Sequence, residues 1–169
     1  MSDNQTGTAV DRPGLRPVRR LHLSAETSAP PERVLEAARD FSRRREEVWP
    51  NVSAKSLEVH QIAETFADVT EGLGSSRFFF ERGRYDWSQP GIVTQTVTDS
   101  NILQPGTTWE IRATTGESAT NVEATFAREY KRTLKGRFAE LVFRVAGKQL
   151  AGWDLRRALA TIEQGEPGP

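Results

Sequence analysis

Residues 77–100 read RFFFERGRYDWSQPGIVTQTVTDS, two runs rich in aromatic and β-branched side chains joined by Gln89, Pro90 and Gly91. A Pro-Gly pair between such runs is turn chemistry, and so short a link joins antiparallel neighbours. The pattern extends outward. Upstream are 57–63 and 66–71, joined at Glu64-Thr65 and followed by Gly72-Leu73-Gly74-Ser75; downstream are 107–115 and 118–130, joined at Gly116-Glu117 and preceded by Pro105-Gly106. With 77–87 and 92–100, these runs predict an antiparallel meander.

Beyond the meander the period changes. Residues 18–27 alternate, with Leu21, Leu23 and Ala25 on one face, and predict a first strand. Pro30 and Pro31 open a short helix carrying Val34, Leu35, Ala38 and Phe41, and Ser42 is placed to cap a second one, SRRREEVW, which Pro50 stops. From Leu134 to about Glu163 the period is helical, with Leu134, Phe138, Leu141, Val145, Leu155, Leu159 and Ile162 near one stripe. Phe143, Leu150 and Trp153 form a second face, so the back of this helix is either covered by the short helices or meets another copy in a homodimer. Gly147 and Gly152 weaken the helix and imply close packing or a bend there. Only this helix is large enough to cover one face of the sheet. The predicted class is therefore α+β: a curved seven-stranded antiparallel sheet wrapped around a long C-terminal helix, with two short helices between the first and second strands.

Composition narrows the function. The chain has 169 residues, with 23 Lys and Arg against 23 Asp and Glu, two His and no Cys. A domain of this length buries roughly 70% of its unfolded surface and needs no staple. Without Cys there is no disulfide, thiolate nucleophile or zinc ribbon, and two distant histidines make no multi-histidine site, so neither metal nor cofactor is expected. Balanced charge argues against nucleic acid as a partner. No apolar run reaches the 18 or so residues of a membrane span, so no stable membrane insertion is expected. Residues 1–17 are polar, rich in Gly and Pro and unlike a signal peptide, which predicts a disordered tail on a cytoplasmic protein; 18–164 form one domain and 165–169 a flexible end.

The segments RYDWSQP (84–90) and TDSN (98–101), with Val48-Trp49-Pro50, Gly147-Lys148 and the order of elements, resemble the START/Bet v 1-like (SRPBCC) superfamily and within it the polyketide cyclase/dehydrase and lipid transport branch. The resemblance spans 18–164. It implies the helix-grip fold and a hydrophobic cavity between sheet and long helix, with a hydrophobic small molecule (lipid, quinone or polyketide) as partner. Its alternative implication is a polyketide cyclase or dehydratase working by acid/base chemistry in the same cavity. A protein-docking module acting through exposed aromatics is the third reading. The motifs carry no catalytic signature, so the sequence leaves open whether a reaction occurs.

Several side chains are candidates for lining that cavity. Val122, Ala124, Phe126, Arg128 and Tyr130 share a parity, and Arg128 is the odd member of this inward set: it either orients a ligand's polar end or pairs with an acidic neighbour. Trp109 shares the inner parity of its strand with Ile111, as cavity wall or plain core. Trp49, closing the second helix, is a gate or a plug. Phe138 and Val142 are the long helix's contribution.

Phe78 and Phe80 differ in parity from Tyr85 and Trp87. A bulge near Gly83 brings all four inside and is the preferred solution; otherwise Phe79, Tyr85 and Trp87 face in and Phe78 and Phe80 face out. Hydrophobicity does not decide whether Val93, Gln95, Val97 and Asp99 or their alternates face in. If the first set does, Asp99 is the acid/base candidate; otherwise it caps its own turn. Arg43, Arg44 and Arg45, followed by Glu46 and Glu47, read as a solvated helix face. His22 and His60 oppose the apolar parities and are assigned no site.

Overall fold

Pro90-Gly91 and Pro105-Gly106 both turn the chain through left-handed backbone, with φ of 79° at Gly91 and 87° at Gly106, conformations that glycine adopts without steric cost. The computed structural model describes residues 18–73 and 79–165. Its elements are β1 (Arg19–Thr27), α1 (Pro31–Arg39), α2 (Arg45–Val48), β2 (Glu58–Ile62), β3 (Phe66–Leu73), β4 (Phe79–Asp86), β5 (Ile92–Ser100), β6 (Thr108–Thr115), β7 (Thr120–Arg128) and α3 (Leu134–Gln164). β2 to β7 follow one another across the sheet, and β1 pairs with β7, giving the order β1-β7-β6-β5-β4-β3-β2 with every pairing antiparallel. No helix among the described residues is long and apolar enough to cross a membrane.

The sheet curls strongly. β7 and β4 are three strand spacings apart, about 14 Å on a flat sheet. Yet Arg128 Nη1 on β7 lies 3.1 Å from Glu81 Oε2 on β4, a contact that on a flat sheet would require both side chains to lie fully extended along the surface, whereas strand side chains stand roughly perpendicular to it. Inside the curl, Val34 and Ala38 of α1 pack with Val69, Tyr85, Val93, Ile111, Val122 and Ala124 from the strands and with Leu155, Ala158, Leu159 and Ile162 of α3. A second cluster joins Val97, Ile102, Leu103 and Tyr130, with Phe79, Ala139 and Phe143 against it.

Three expectations change. First, β4 pairs with β3 without a break from Phe79 to Asp86, so the strand itself carries no bulge and Phe80 faces outward while Phe79, Glu81 and Tyr85 face in. Phe78 lies outside the described residues. Register does slip at Gly83, but against β5: Arg82 faces Asp99 and Gly83 faces Val97, which leaves Thr98 as the extra residue. A side chain on Gly83 would meet Gln95 at 2.7 Å.

Second, α3 turns differently from its apolar stripe. The buried side runs through Gly136, Gly147, Leu155, Ala158 and Ile162, while Leu134 is 87% and Phe138 70% exposed and Leu141, Val142 and Val145 also face solvent. The ten-residue step from Val145 to Leu155 falls about 80° short of three full turns, so the predicted stripe is two stripes. Core contacts of the carboxyl-terminal half decide, and the small Gly136 and Gly147 take the inward positions. The helix begins at a Thr133 N-cap, whose hydroxyl accepts from the Gly136 amide at 3.1 Å. Near its other end Glu163 accepts from Thr27 Oγ1 (2.7 Å) and the Ser28 amide (2.9 Å), tying α3 to the exit of β1.

Third, α2 is shorter than predicted. Residues 42–44 form a turn in which Ser42 Oγ accepts from the Arg44 amide at 3.2 Å, and the helix starts only at Arg45. Arg45 stands four residues after Phe41 and three before Val48, and in the shortened helix it lies on the apolar side and is buried rather than solvated.

Candidate functional site

The concave face of the sheet carries two charged networks in a mostly apolar lining. The inner one joins α2 to the sheet. Arg45 donates from Nε to Glu71, from Nη2 to the Tyr85 hydroxyl (3.0 Å) and from Nη1 to the carbonyls of Ala38 and Asp40 (3.1 Å each). Tyr85 in turn donates to Glu71 Oε2 at 2.5 Å. All three side chains are buried. Burial by itself disfavours the Arg45 cation, but the Glu71 charge and the hydrogen bonds to Glu71 and Tyr85 outweigh it, and the guanidinium is raised further above its usual range. Burial, then the Glu71 charge, pushes the Tyr85 phenol well above 10. Rings close this end: Phe41 and Trp109 stand edge-on to Tyr85 at 4.8 and 6.5 Å, Trp49 stands edge-on to Trp109 at 5.7 Å, and the Arg45 guanidinium lies over Phe41 at 4.6 Å.

The second network lies one register position across. Glu81 is the cross-strand partner of Glu71, so two carboxylates stand side by side on the inner face. Like charges directly opposite destabilise a sheet unless each is compensated. Here each has its own arginine: Arg45 for Glu71 and Arg128 for Glu81. Gln95 Nε2 adds a 3.0 Å bond to Glu81 Oε1, and Arg128 also lies over Phe126 at 5.5 Å. The side chains of Arg128 and Glu81 are each 14% exposed, and Trp109 and Phe126 are only partly buried. The inner face is therefore closed at Tyr85 and reached by solvent at Glu81 and Arg128.

Among the sequence candidates, Trp49, Tyr85, Trp109, Phe126 and Arg128 come together on this face. Trp49 is buried, its indole N–H donating to the Ala37 carbonyl at 2.9 Å. Trp87 packs at the margin of the core and donates to the Glu64 carbonyl at 2.8 Å, about 20 Å along β4 from Glu81. Asp99 is on the other side of the sheet. The extra residue Thr98 reverses the alternation after Val97, so Val93, Gln95 and Val97 face in and Asp99 faces out, 63% exposed, accepting from the Ser100 amide at 2.8 Å with Lys131 Nζ at 3.8 Å. It borders an outer hollow of about 270 Å³ with Glu58, His60, Thr70, Phe80 and Arg82. Phe138 and Val142 are turned away from the sheet by the rotation of α3. Among the described residues no group of three His, Cys, Asp or Glu is placed to hold a metal ion.

Sequence reasoning missed Arg45, Glu71, Glu81 and Gln95 as a set. The signals were present in the spacing: Glu71 shares its parity with Ala67 and Val69, Glu81 with Tyr85, and Arg45 its helical phase with Phe41 and Val48.

No family model and no curated protein matches the chain. Solved structures do. The ZhuI aromatase/cyclase of Streptomyces sp. R1128 superposes with a TM-score of 0.70 at 16% identity, covering 87% of this chain and 94% of that one. The chain has the helix-grip fold of START and Bet v 1-like proteins. A START superfamily protein of Mycobacterium smegmatis (TM-score 0.59, 11% identity, 85% and 94% coverage) and major latex-like protein 151 of Panax ginseng (0.59, 9%, 86% and 95%) share that helix-grip fold. At such identities the likeness concerns the fold, and the activities named belong to those proteins.

Proposed function

We propose that the helix-grip interior binds a hydrophobic small molecule, its apolar body against Trp109, Phe126 and the Tyr85 end, and its polar end at Arg128, Glu81 and Gln95. The observation that supports this most is the second network. A curled sheet packing only its own core has no need of a guanidinium, a carboxylate and an amide converging beside two aromatic rings, with solvent reaching them. Apolar walls with a few convergent polar groups are the usual composition of small-molecule sites. A ligand oxyanion would take the place of Glu81 on Arg128, and a ligand hydroxyl would donate to Glu81.

Native mass spectrometry of the purified protein, followed by solvent extraction, tests the reading directly and is expected to release a retained apolar molecule. Titration with a fluorescent fatty acid is expected to saturate, and Arg128→Leu to weaken it at least tenfold with the fold retained. A protein that carries nothing and binds no apolar probe saturably refutes the proposal. The cyclase or dehydratase reading, with Asp99 facing out, rests on Glu81 as the solvent-reached inner carboxylate. Retained turnover of a poly-β-ketone substrate by Glu81→Gln would end it.

A further inference from the structure

The chain balances its charges overall, but residues 131–153 contain six Lys and Arg against one acid, Glu140. The amino-terminal half of α3 in this stretch also holds an exposed apolar stripe. Leu134, Phe138, Leu141, Val142 and Val145 all face solvent on the side away from Ala139 and Phe143, which pack inward. At 100° per residue these five fall within an arc of about 100°. Arg137, Arg144 and Lys148 line one margin of that arc and Lys135 the other, all exposed. Glu140 lies on the inward side, 3.7 Å from Arg19 of β1, so the one acid of the stretch is turned off the stripe.

A contiguous run of large apolar side chains on a protein surface marks a contact with something. Self-association through this stripe would set two equally basic surfaces face to face, since a two-fold interface meets its own copy. Apolar centre and cationic margins instead match the interface of a bilayer, with side chains at the acyl boundary and arginine and lysine among anionic headgroups. We propose that the amino-terminal half of α3 docks the domain peripherally on an anionic lipid surface, the helix lying in the plane of the interface without crossing it.

The proposal goes beyond the ligand reading, and vesicles without added ligand separate the two. Sucrose-loaded vesicles of phosphatidylcholine alone, and of phosphatidylcholine with phosphatidylserine, are sedimented with the full chain at low and high salt. Binding is expected on the phosphatidylserine vesicles and is expected to fall with salt. Arg144→Gln and Lys148→Gln should each weaken it about fivefold. Phe138→Ser with Val145→Ser should weaken it more than tenfold, with an unchanged melting curve because both sites are exposed. No sedimentation with phosphatidylserine vesicles at low salt overturns the proposal, as does binding by the variants equal to the parent's. A dimer in sedimentation velocity that Phe138→Ser dissociates, without vesicle binding, would assign the stripe to a second copy instead. Vesicle-independent capture of an acidic protein through the same basic residues would equally overturn it.

Discussion

Replacing Glu71 by Gln keeps the shape of the inner network and removes its negative charge. Arg45 then stays buried with no counter-charge, having only two carbonyls and two neutral side chains to face. Breaking a buried pair by neutralising one partner costs about 3–5 kcal/mol. That is a large part of the roughly 5–15 kcal/mol that holds a domain of ordinary stability together. Tyr85→Phe is milder. The ring keeps its edge contacts with Phe41 and Trp109, while bonds to two charged groups are lost, about 1.5–3 kcal/mol. The decisive variant is Arg45→Met with Glu71→Leu, set against Glu71→Gln with Tyr85→Phe in both, because the phenol hydroxyl would otherwise lose its two partners. It removes both charges and leaves the carbonyls of Ala38 and Asp40 short of a donor, a cost of about 1–3 kcal/mol. Equilibrium urea denaturation at neutral pH measures all of these. The expected order is that, with Tyr85→Phe in both, the double variant is more stable than Glu71→Gln. A Glu71→Gln cost below about 1 kcal/mol, or a double variant costing the sum of its singles, would refute the reading that this is a desolvated and mutually dependent pair.

Other expectations follow from local geometry. Gly152→Ala should stabilise by about 1 kcal/mol in thermal or urea unfolding, since its Cβ meets only the end of Arg156 at 3.4 Å, whereas Gly147→Ala should gain little because its Cβ meets the Phe143 ring at 3.0 Å. Hydrogen bonds from Thr27 and Ser28 hold the Glu163 carboxyl below its ordinary 4.5, so its contribution is present above that value and is lost as pH falls through the lower folded value. Glu163→Gln should therefore lower Tm near neutrality and converge with the parent in acid. Both tyrosines of the chain are buried: Tyr130 is pushed up to about 12 and Tyr85 well above 10, chiefly by burial. Their neutral forms stabilise the fold below pH 10, and that stability is lost as pH rises through the folded values. Phenolate absorbance should stay flat through pH 10 and then rise together with the loss of the near-UV circular dichroism.

The order of elements was legible because each signal was local. Turn residues such as Pro90-Gly91, alternating β-branched runs and a helix with no competing strand period each announce themselves within a few positions. What the sequence did not decide depends on counting across an irregularity. One extra residue at Thr98 sends Asp99 outward and turns Ser100 inward, and no propensity marks that position. The rotation of α3 likewise depends on which half of its apolar surface the core claims, which is a property of the sheet. Arg45 was obscured by its neighbours: three consecutive arginines read as one solvated feature, although only one of them has the phase of the core.

The ion pair from β4 to β7 fastens a curled sheet across its opening, like a clasp on a cuff. Its span is fixed by the combined reach of one Arg and one Glu side chain, so the width of the interior at that level depends on side-chain length as well as on backbone twist. A shorter acid at position 81 would either draw the strands together or leave Arg128 unfastened, and a longer reach would let them spread. A single substitution in this clasp, with Trp109 and Phe126 untouched, would in this way resize what the domain encloses.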